Sequence, residues 1–152
     1  MTLQDILTPE CTQSLTTETS KKKVLEKICS IASDKFSNIS QHELLESLLT
    51  REKVGSTGIG NGIAIPHGRL ANTTQVIAVL LTTKHAIAFD AIDNRAVDIF
   101  IALFVPEDCC KEHLTTLQSI AQLFNDKKIC KKARKCQSSD ELYALVHMEE
   151  HE

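Results

Sequence analysis

Apolar residues along this chain change their period twice. Near the N-terminus they recur every three or four positions: Val24, Leu25, Ile28, Ile31 and Ala32 predict a helix with Ser20 as its N-cap. Lys21, Lys22 and Lys23 fall at the start of that helix, on its solvated face. Ser40 and Glu43 form a capping box for a second helix through Leu44, Leu45, Leu48 and Leu49. The middle of the chain abandons this period. "GIAIP" predicts a short strand ended by Pro66, while "QVIAVLLTT" (75–83) and "VDIFIALFVP" (97–106) are nearly continuous apolar runs. Runs without alternation predict strands covered on both faces. Asp93 and Asn94 supply a turn between them. The helical period then returns over 113–124, with Leu114, Leu117, Ile120, Ala121 and Phe124 on one face. Ser138 with Glu141 caps a last helix through Leu142, Leu145 and Val146. The sum is an α/β chain, a single domain with a mixed central β-sheet flanked by α-helices.

Composition narrows the function classes. At 152 residues the chain is long enough for one well-buried core. A net charge of −3 gives no electrostatic reason to expect nucleic acid or a membrane as partner. The longest apolar run, 99–105, is too short to span a bilayer, and no basic-then-apolar leader opens the chain, so a cytoplasmic protein is expected. The cysteines Cys11, Cys29, Cys109, Cys110, Cys130 and Cys136 form no C-x-x-C pair, so reduced thiols and no metal site are expected. A basic segment, Lys127, Lys128, Lys131, Lys132, Arg134 and Lys135, is read as a solvated helix face, with docking to an acidic partner as a secondary reading.

The five glycines of the chain, Gly55, Gly58, Gly60, Gly62 and Gly68, all lie in "GSTGIGNGIAIPHG" (55–68). The phosphate-loop pattern fails because no lysine follows any of them, and the dinucleotide pattern fails because Ile63 stands where its third glycine belongs. Instead the stretch runs into Pro66, His67 and Gly68, where a histidine with restricted backbone before it and no Cβ after it suggests chemistry.

"TREKVGSTGIGNGIAIPHG" (50–68) resembles the active-site region of enzyme IIA domains of the bacterial phosphoenolpyruvate phosphotransferase system, fructose/mannitol type, nitrogen-regulatory branch. The likeness continues through "AFDAIDN" (88–94), "EHLTTL" (112–117) and "QSSDELY" (137–143), covering nearly the whole chain as one domain with a core of about 3–148. The resemblance implies that His67 accepts a phosphoryl group on Nε2 from a histidine-containing phosphocarrier protein. It places His113 and Arg51 beside it. No cofactor or metal is implied, since phosphohistidine is already an activated donor. Sugar-transporting members have a carboxylate between two small residues where this chain has Gly60-Asn61-Gly62, so transfer to a downstream IIB domain is not implied.

Phosphoryl transfer depends on positioning and electrostatics. Backbone N–H groups of Gly55, Ser56, Thr57, Gly58, Gly60, Asn61, Gly62 and Gly68 are expected to cradle the phosphoryl oxygens. Arg51 would contribute a guanidinium fork and His113 a ring donor. Transfer through Nε2 also requires an acceptor for Nδ1–H, which the sequence does not name. The expectation is a phosphotransferase component, carrying phosphate and regulating target proteins by its phosphorylation state. A non-phosphorylated interaction module of the same fold and a sugar-permease component remain the alternatives.

Overall fold

The computed structural model describes residues 2–71, 73–109 and 113–149, apart from the side chains of Cys109 and Glu149. Cys110, Glu112 and His151 lie outside the described residues. Among the described residues six α-helices, α1 (Leu3–Ile6), α2 (Lys21–Lys35), α3 (Gln41–Glu52), α4 (Leu114–Asn125), α5 (Lys127–Lys135) and α6 (Ser139–Glu149), flank one sheet. Its strands are β1 (Thr12–Thr16), β2 (Gly58–Gly60), β3 (Ile63–Ala64), β4 (His67–Leu70), β5 (Ile77–Ile87) and β6 (Val97–Pro106). Their spatial order is β1-β5-β6-β3-β2, with β4 following β3 along the same side of β6.

The helix starts behave as the sequence predicts. Ser20 Oγ accepts from the Lys23 amide at 3.2 Å and Ser40 Oγ from the Glu43 amide at 3.1 Å. Ser138 Oγ does the same for Glu141 at 3.1 Å. Burial on both faces of the sheet is equally plain. Along β6, Phe100, Ala102 and Phe104 face the layer of α2 and α3, while Ile99, Ile101, Leu103 and Val105 face α1, α4, α5 and α6. The mixed character comes from the antiparallel pairs β5–β6 and β2–β3, while β1 runs parallel to β5 and both β3 and β4 run parallel to β6.

Two expectations change. Pro66 does not end the strand path. The strand path breaks for two residues, Ile65 and Pro66: Pro66, lacking an N–H, cannot donate to the ladder, but its carbonyl accepts from Leu103 at 2.9 Å and the chain re-enters the sheet as β4. Lys21 is not a purely solvated charge. Its Nζ lies 2.9 Å from Glu52 Oε2 and 4.5 Å above the Phe89 ring, stitching the start of α2 to the end of α3. Cys11, Cys29, Cys130 and Cys136 are free and buried, and burial raises the Cys29 thiol to about 12, leaving it protonated.

Helix α3 packs closely on β4 at Gly68. A Cβ on Gly68 would lie 2.8 Å from the Ser47 backbone carbonyl carbon, with the Ser47 side chain nearer still. Gly68→Ala therefore has to push α3 away from the sheet and is expected to cost about 1–3 kcal/mol in urea unfolding, the usual range for overpacking. Gly55→Ala, where an added Cβ meets nothing within 4 Å, should stay within about 0.5 kcal/mol of wild type. Equal stabilities for the two variants would contradict this packing.

Candidate functional site

His67 opens β4, which pairs with β6 on one side and is otherwise at the open margin of the sheet. In the parallel register His67 lies beside Leu103 and Gly68 beside Phe104, so the imidazole leans toward α4 and Gly68 toward α3. The ring thus stands between two cavities. One, of about 660 Å³, is bounded by α3 through Glu46, Ser47, Thr50 and Arg51. The other, of about 100 Å³, is closed by His113, Leu114 and Leu117 at the start of α4.

The two ring nitrogens of His67 have different partners. Nδ1 is 2.9 Å from the Ile65 carbonyl oxygen. A carbonyl only accepts, so Nδ1 carries the proton and the neutral ring keeps its lone pair on Nε2. Arg51 Nε–H donates to that Nε2 at 3.1 Å. The side-chain signal for the Nδ1 acceptor was absent from the sequence because the acceptor is main chain. Pro66 and the extended conformation that it imposes on Ile65 help hold the Ile65 carbonyl near the ring two residues on.

Arg51 reaches the ring because of helix phase. Leu44 and Leu48 are buried, and Ser47 and Arg51, four residues apart, share the flank turned to β4. Ser47 meets Gly68, which lets the helix come close enough for Arg51 to meet His67. Arg51 Nη1 also donates to the Gly55 carbonyl at 2.8 Å, tying the turn after α3 to the same guanidinium. The neighbouring Glu52 does complementary work. Its Oε1 accepts from the Thr57 amide at 3.1 Å and from the Thr57 hydroxyl, and the Thr57 carbonyl accepts from the Ile65 amide at 3.0 Å. A chain of hydrogen bonds and peptide units thereby links Glu52 to the carbonyl that holds His67.

His113 is the N-cap residue of α4 and is almost fully buried. Its Nδ1 has no hydrogen-bond partner among the described residues. His113 lines the same small cavity as His67, and its buried Nδ1 is a polar atom left without a partner.

The glycine stretch is not gathered around the ring. Gly55 and Gly68 adjoin the site through Arg51 and Ser47, but Ser56 Oγ is spent on the Phe89 carbonyl at 2.8 Å and Thr57 on Glu52. Gly58 lies against Ala91, where a Cβ would be 2.7 Å from the Ala91 Cβ. Gly60, Asn61 and Gly62 form the β2–β3 turn, with φ of 101°, 58° and 80°. That turn lies beside Asp98 at one end of β6, whereas His67 pairs with Leu103 five residues on, about 16 Å away by strand rise. Asn61 donates its amide to Asp93 at 2.9 Å and its carbonyl accepts from Arg134 at 2.7 Å. Both contacts are made by the Asn61 main chain, and the turn that carries Asn61 is held away from His67. Among the other histidines, His42 borders the larger cavity, and His147 Nδ1 is 3.0 Å from the Tyr143 carbonyl. His147 and His151 are four residues apart, but His151 is outside the described residues.

Comparison with known proteins shows the family to which the chain is similar over nearly its whole length. Residues 5–148 match the family model of the phosphoenolpyruvate-dependent sugar phosphotransferase system, EIIA 2. The nitrogen regulatory protein of Klebsiella oxytoca is 47% identical over 145 residues, covering 95% of this chain and 89% of that protein. The crystal structure of nitrogen regulatory protein IIA-Ntr from Neisseria meningitidis superposes with a TM-score of 0.87 at 34% identity, covering 95% of this chain and 98% of that one. The mannitol IIA of Escherichia coli shares the fold, with a TM-score of 0.73 at 18% identity, over 92% of this chain and 98% of that one.

Burial lowers the His67 pKa below the ordinary histidine value, and the Arg51 cation adds to the effect, while the Ile65 hydrogen bond opposes it. The unfolded chain takes up the proton near pH 6.5, the folded chain only at lower pH, so the folded state loses stability as pH falls below about 6.5. NMR titration of the His67 ring should give a midpoint below 6.5. Arg51→Gln should raise that midpoint without restoring the ordinary value, because burial remains. A wild-type midpoint above 6.5 would contradict this electrostatic picture.

Proposed function

This chain belongs to the EIIA 2 family of the phosphoenolpyruvate-dependent phosphotransferase system, with close likeness to its nitrogen regulatory proteins, and on that premise we propose that it is a phosphoryl carrier modified at His67 Nε2, whose phosphorylation state regulates partner proteins. The observation that carries the reading is the division of labour on the His67 ring: Nδ1–H is engaged by Ile65 and the Nε2 lone pair faces outward to Arg51.

The donor fits a histidine-containing phosphocarrier protein. In the transfer its P–N bond breaks as Nε2 of His67 forms a new one, and the departing imidazole keeps the electron pair of the old bond. Arg51 Nε–H, which occupies the Nε2 lone pair beforehand, shifts to an oxygen of the incoming phosphoryl group. His113 donates to another oxygen from its unpartnered side of the ring. Both donors stabilise charge on the equatorial oxygens of the loose transition state. The Nδ1–H bond to Ile65 keeps the ring oriented and eases the positive charge that it acquires on phosphorylation.

A protein donor, rather than a free metabolite, suits the rim of the site. Val54 is 83% exposed beside the larger cavity and Leu114 56% exposed beside the smaller one, so His67 is flanked by two apolar side chains in solvent. No helix among the described residues is long and apolar enough to cross a membrane, and a cytoplasmic exchange between two proteins accords with that.

The test is a time course of phosphorylation by phosphorylated carrier protein, read by intact mass on folded variants. His67→Ala should accept no phosphate, because the covalent intermediate has lost its nucleophile. His113→Ala should still be phosphorylated, more slowly, by less than the roughly 100- to 1,000-fold seen when a fully enclosed oxyanion donor is removed. Phosphate on His67→Ala, or none on His113→Ala, would overturn these roles.

A further inference from the structure

The glycine turn that does not reach His67 is bound up with a different feature. Arg134 on α5 donates through Nε to both carboxylate oxygens of Asp98, at 2.9 and 3.0 Å, and through Nη2 to the Asn61 carbonyl at 2.7 Å. Gly62 leaves room for this guanidinium: a Cβ there would come within 2.5 Å of Nη2. The turn therefore locks one cation of α5 in place. Around it, the nine residues of α5 carry Lys127, Lys128, Lys131, Lys132, Arg134 and Lys135, all exposed, while Ile129, Cys130 and Ala133 are buried against the core. Lys127, Lys128, Lys131 and Lys135 make no ion pair among the described residues. The whole chain has a net charge of −3, so this concentration is not the by-product of a basic protein.

A cleft of about 250 Å³ lies between α5 and the turn, bordered by Arg95, Lys127 and Arg134 with Asn61. Arg134 is prepositioned there, so it loses little side-chain freedom on meeting an anion. The face is separate from the phosphorylation site, since Asp98 and Leu103 mark opposite parts of β6.

We propose that the exposed face of α5, together with this cleft, docks an acidic segment of a partner protein. Lys128, Lys131 and Lys135 follow one another at spacings of three and four residues, matching carboxylates presented along an extended or helical segment. A terminal or side-chain carboxylate of the segment enters the cleft between Arg95, Lys127 and Arg134. An anionic membrane fits less well, because the apolar residues of α5 are committed to the core and leave nothing to insert. A nucleic acid also fits less well, because "KKICKKARK" offers no aromatic platform for bases. The inference does not rest on phosphorylation of His67.

Fluorescence anisotropy at low salt tests it with a labelled peptide of alternating glutamate and serine and, separately, a single-stranded oligonucleotide of equal charge. The whole chain is used as wild type, as Lys128→Glu/Lys131→Glu/Lys135→Glu, and as the control Lys22→Glu/Lys23→Glu/Lys84→Glu. The α5 variant should bind the peptide about tenfold or more weakly, while the control stays within about twofold of wild type. Phosphoryl acceptance by the α5 variant, followed in parallel, should be unchanged. The proposal is overturned by equal weakening in both variants, by no peptide binding to wild type, or by tighter binding of the oligonucleotide than of the peptide. Loss of phosphoryl acceptance in the folded α5 variant overturns the separateness of the two faces.

Discussion

One peptide carbonyl governs the site. Ile65 accepts from Nδ1 of His67 and thereby decides which nitrogen of the ring keeps its lone pair. The carbonyl is itself fixed by its surroundings. The Ile65 amide is bonded to the Thr57 carbonyl, Thr57 is held by Glu52, and Glu52 is paired with Lys21. Arg51, adjacent to Glu52 on the same helix end, controls the other nitrogen. Two consecutive side chains at the close of α3 thus hold the imidazole from opposite sides, one directly and one through the backbone. That arrangement depends in turn on the approach of α3 to β4, where Gly68 yields its Cβ position to Ser47.

The electrostatics of the resting site favour a nucleophile over a cation. Burial lowers the His67 pKa, and the guanidinium of Arg51 lowers it further, so the ring is neutral at physiological pH. In the proposed reaction the same guanidinium that discourages a proton on Nε2 would attract a phosphoryl group to it. A residue of one charge would therefore serve both the unmodified ring and the proposed modified one.

Much of the fold was legible in the sequence because its signals are local. The strand read at 97–106 coincides with β6, and three helix starts follow from hydroxyl caps whose side chains reach the amides expected of them. The short strands β1, β2 and β4 carry too few residues for a period to show, and their pairing partners are distant in the chain. At the site, His67 stood out through its Pro66 and Gly68 neighbours, whereas Arg51 and His113 were legible only through resemblance to a family. The glycine stretch looked like one cradle and is several unrelated accommodations: Gly58 for Ala91, Gly62 for Arg134, Gly68 for Ser47. Each depends on an atom far away in sequence, which no local pattern encodes. The Nδ1 acceptor was illegible for a further reason, since every residue has a carbonyl.

The central claim concerns a proton and a lone pair, and NMR observes both. Long-range proton–nitrogen correlation on ¹⁵N-histidine-labelled protein, at a pH where His67 is neutral, should find the hydrogen on Nδ1 and the lone pair on Nε2. After phosphorylation by the carrier protein, phosphorus coupling should appear on Nε2. A resting ring protonated on Nε2, or phosphorus bonded to Nδ1, would contradict the account.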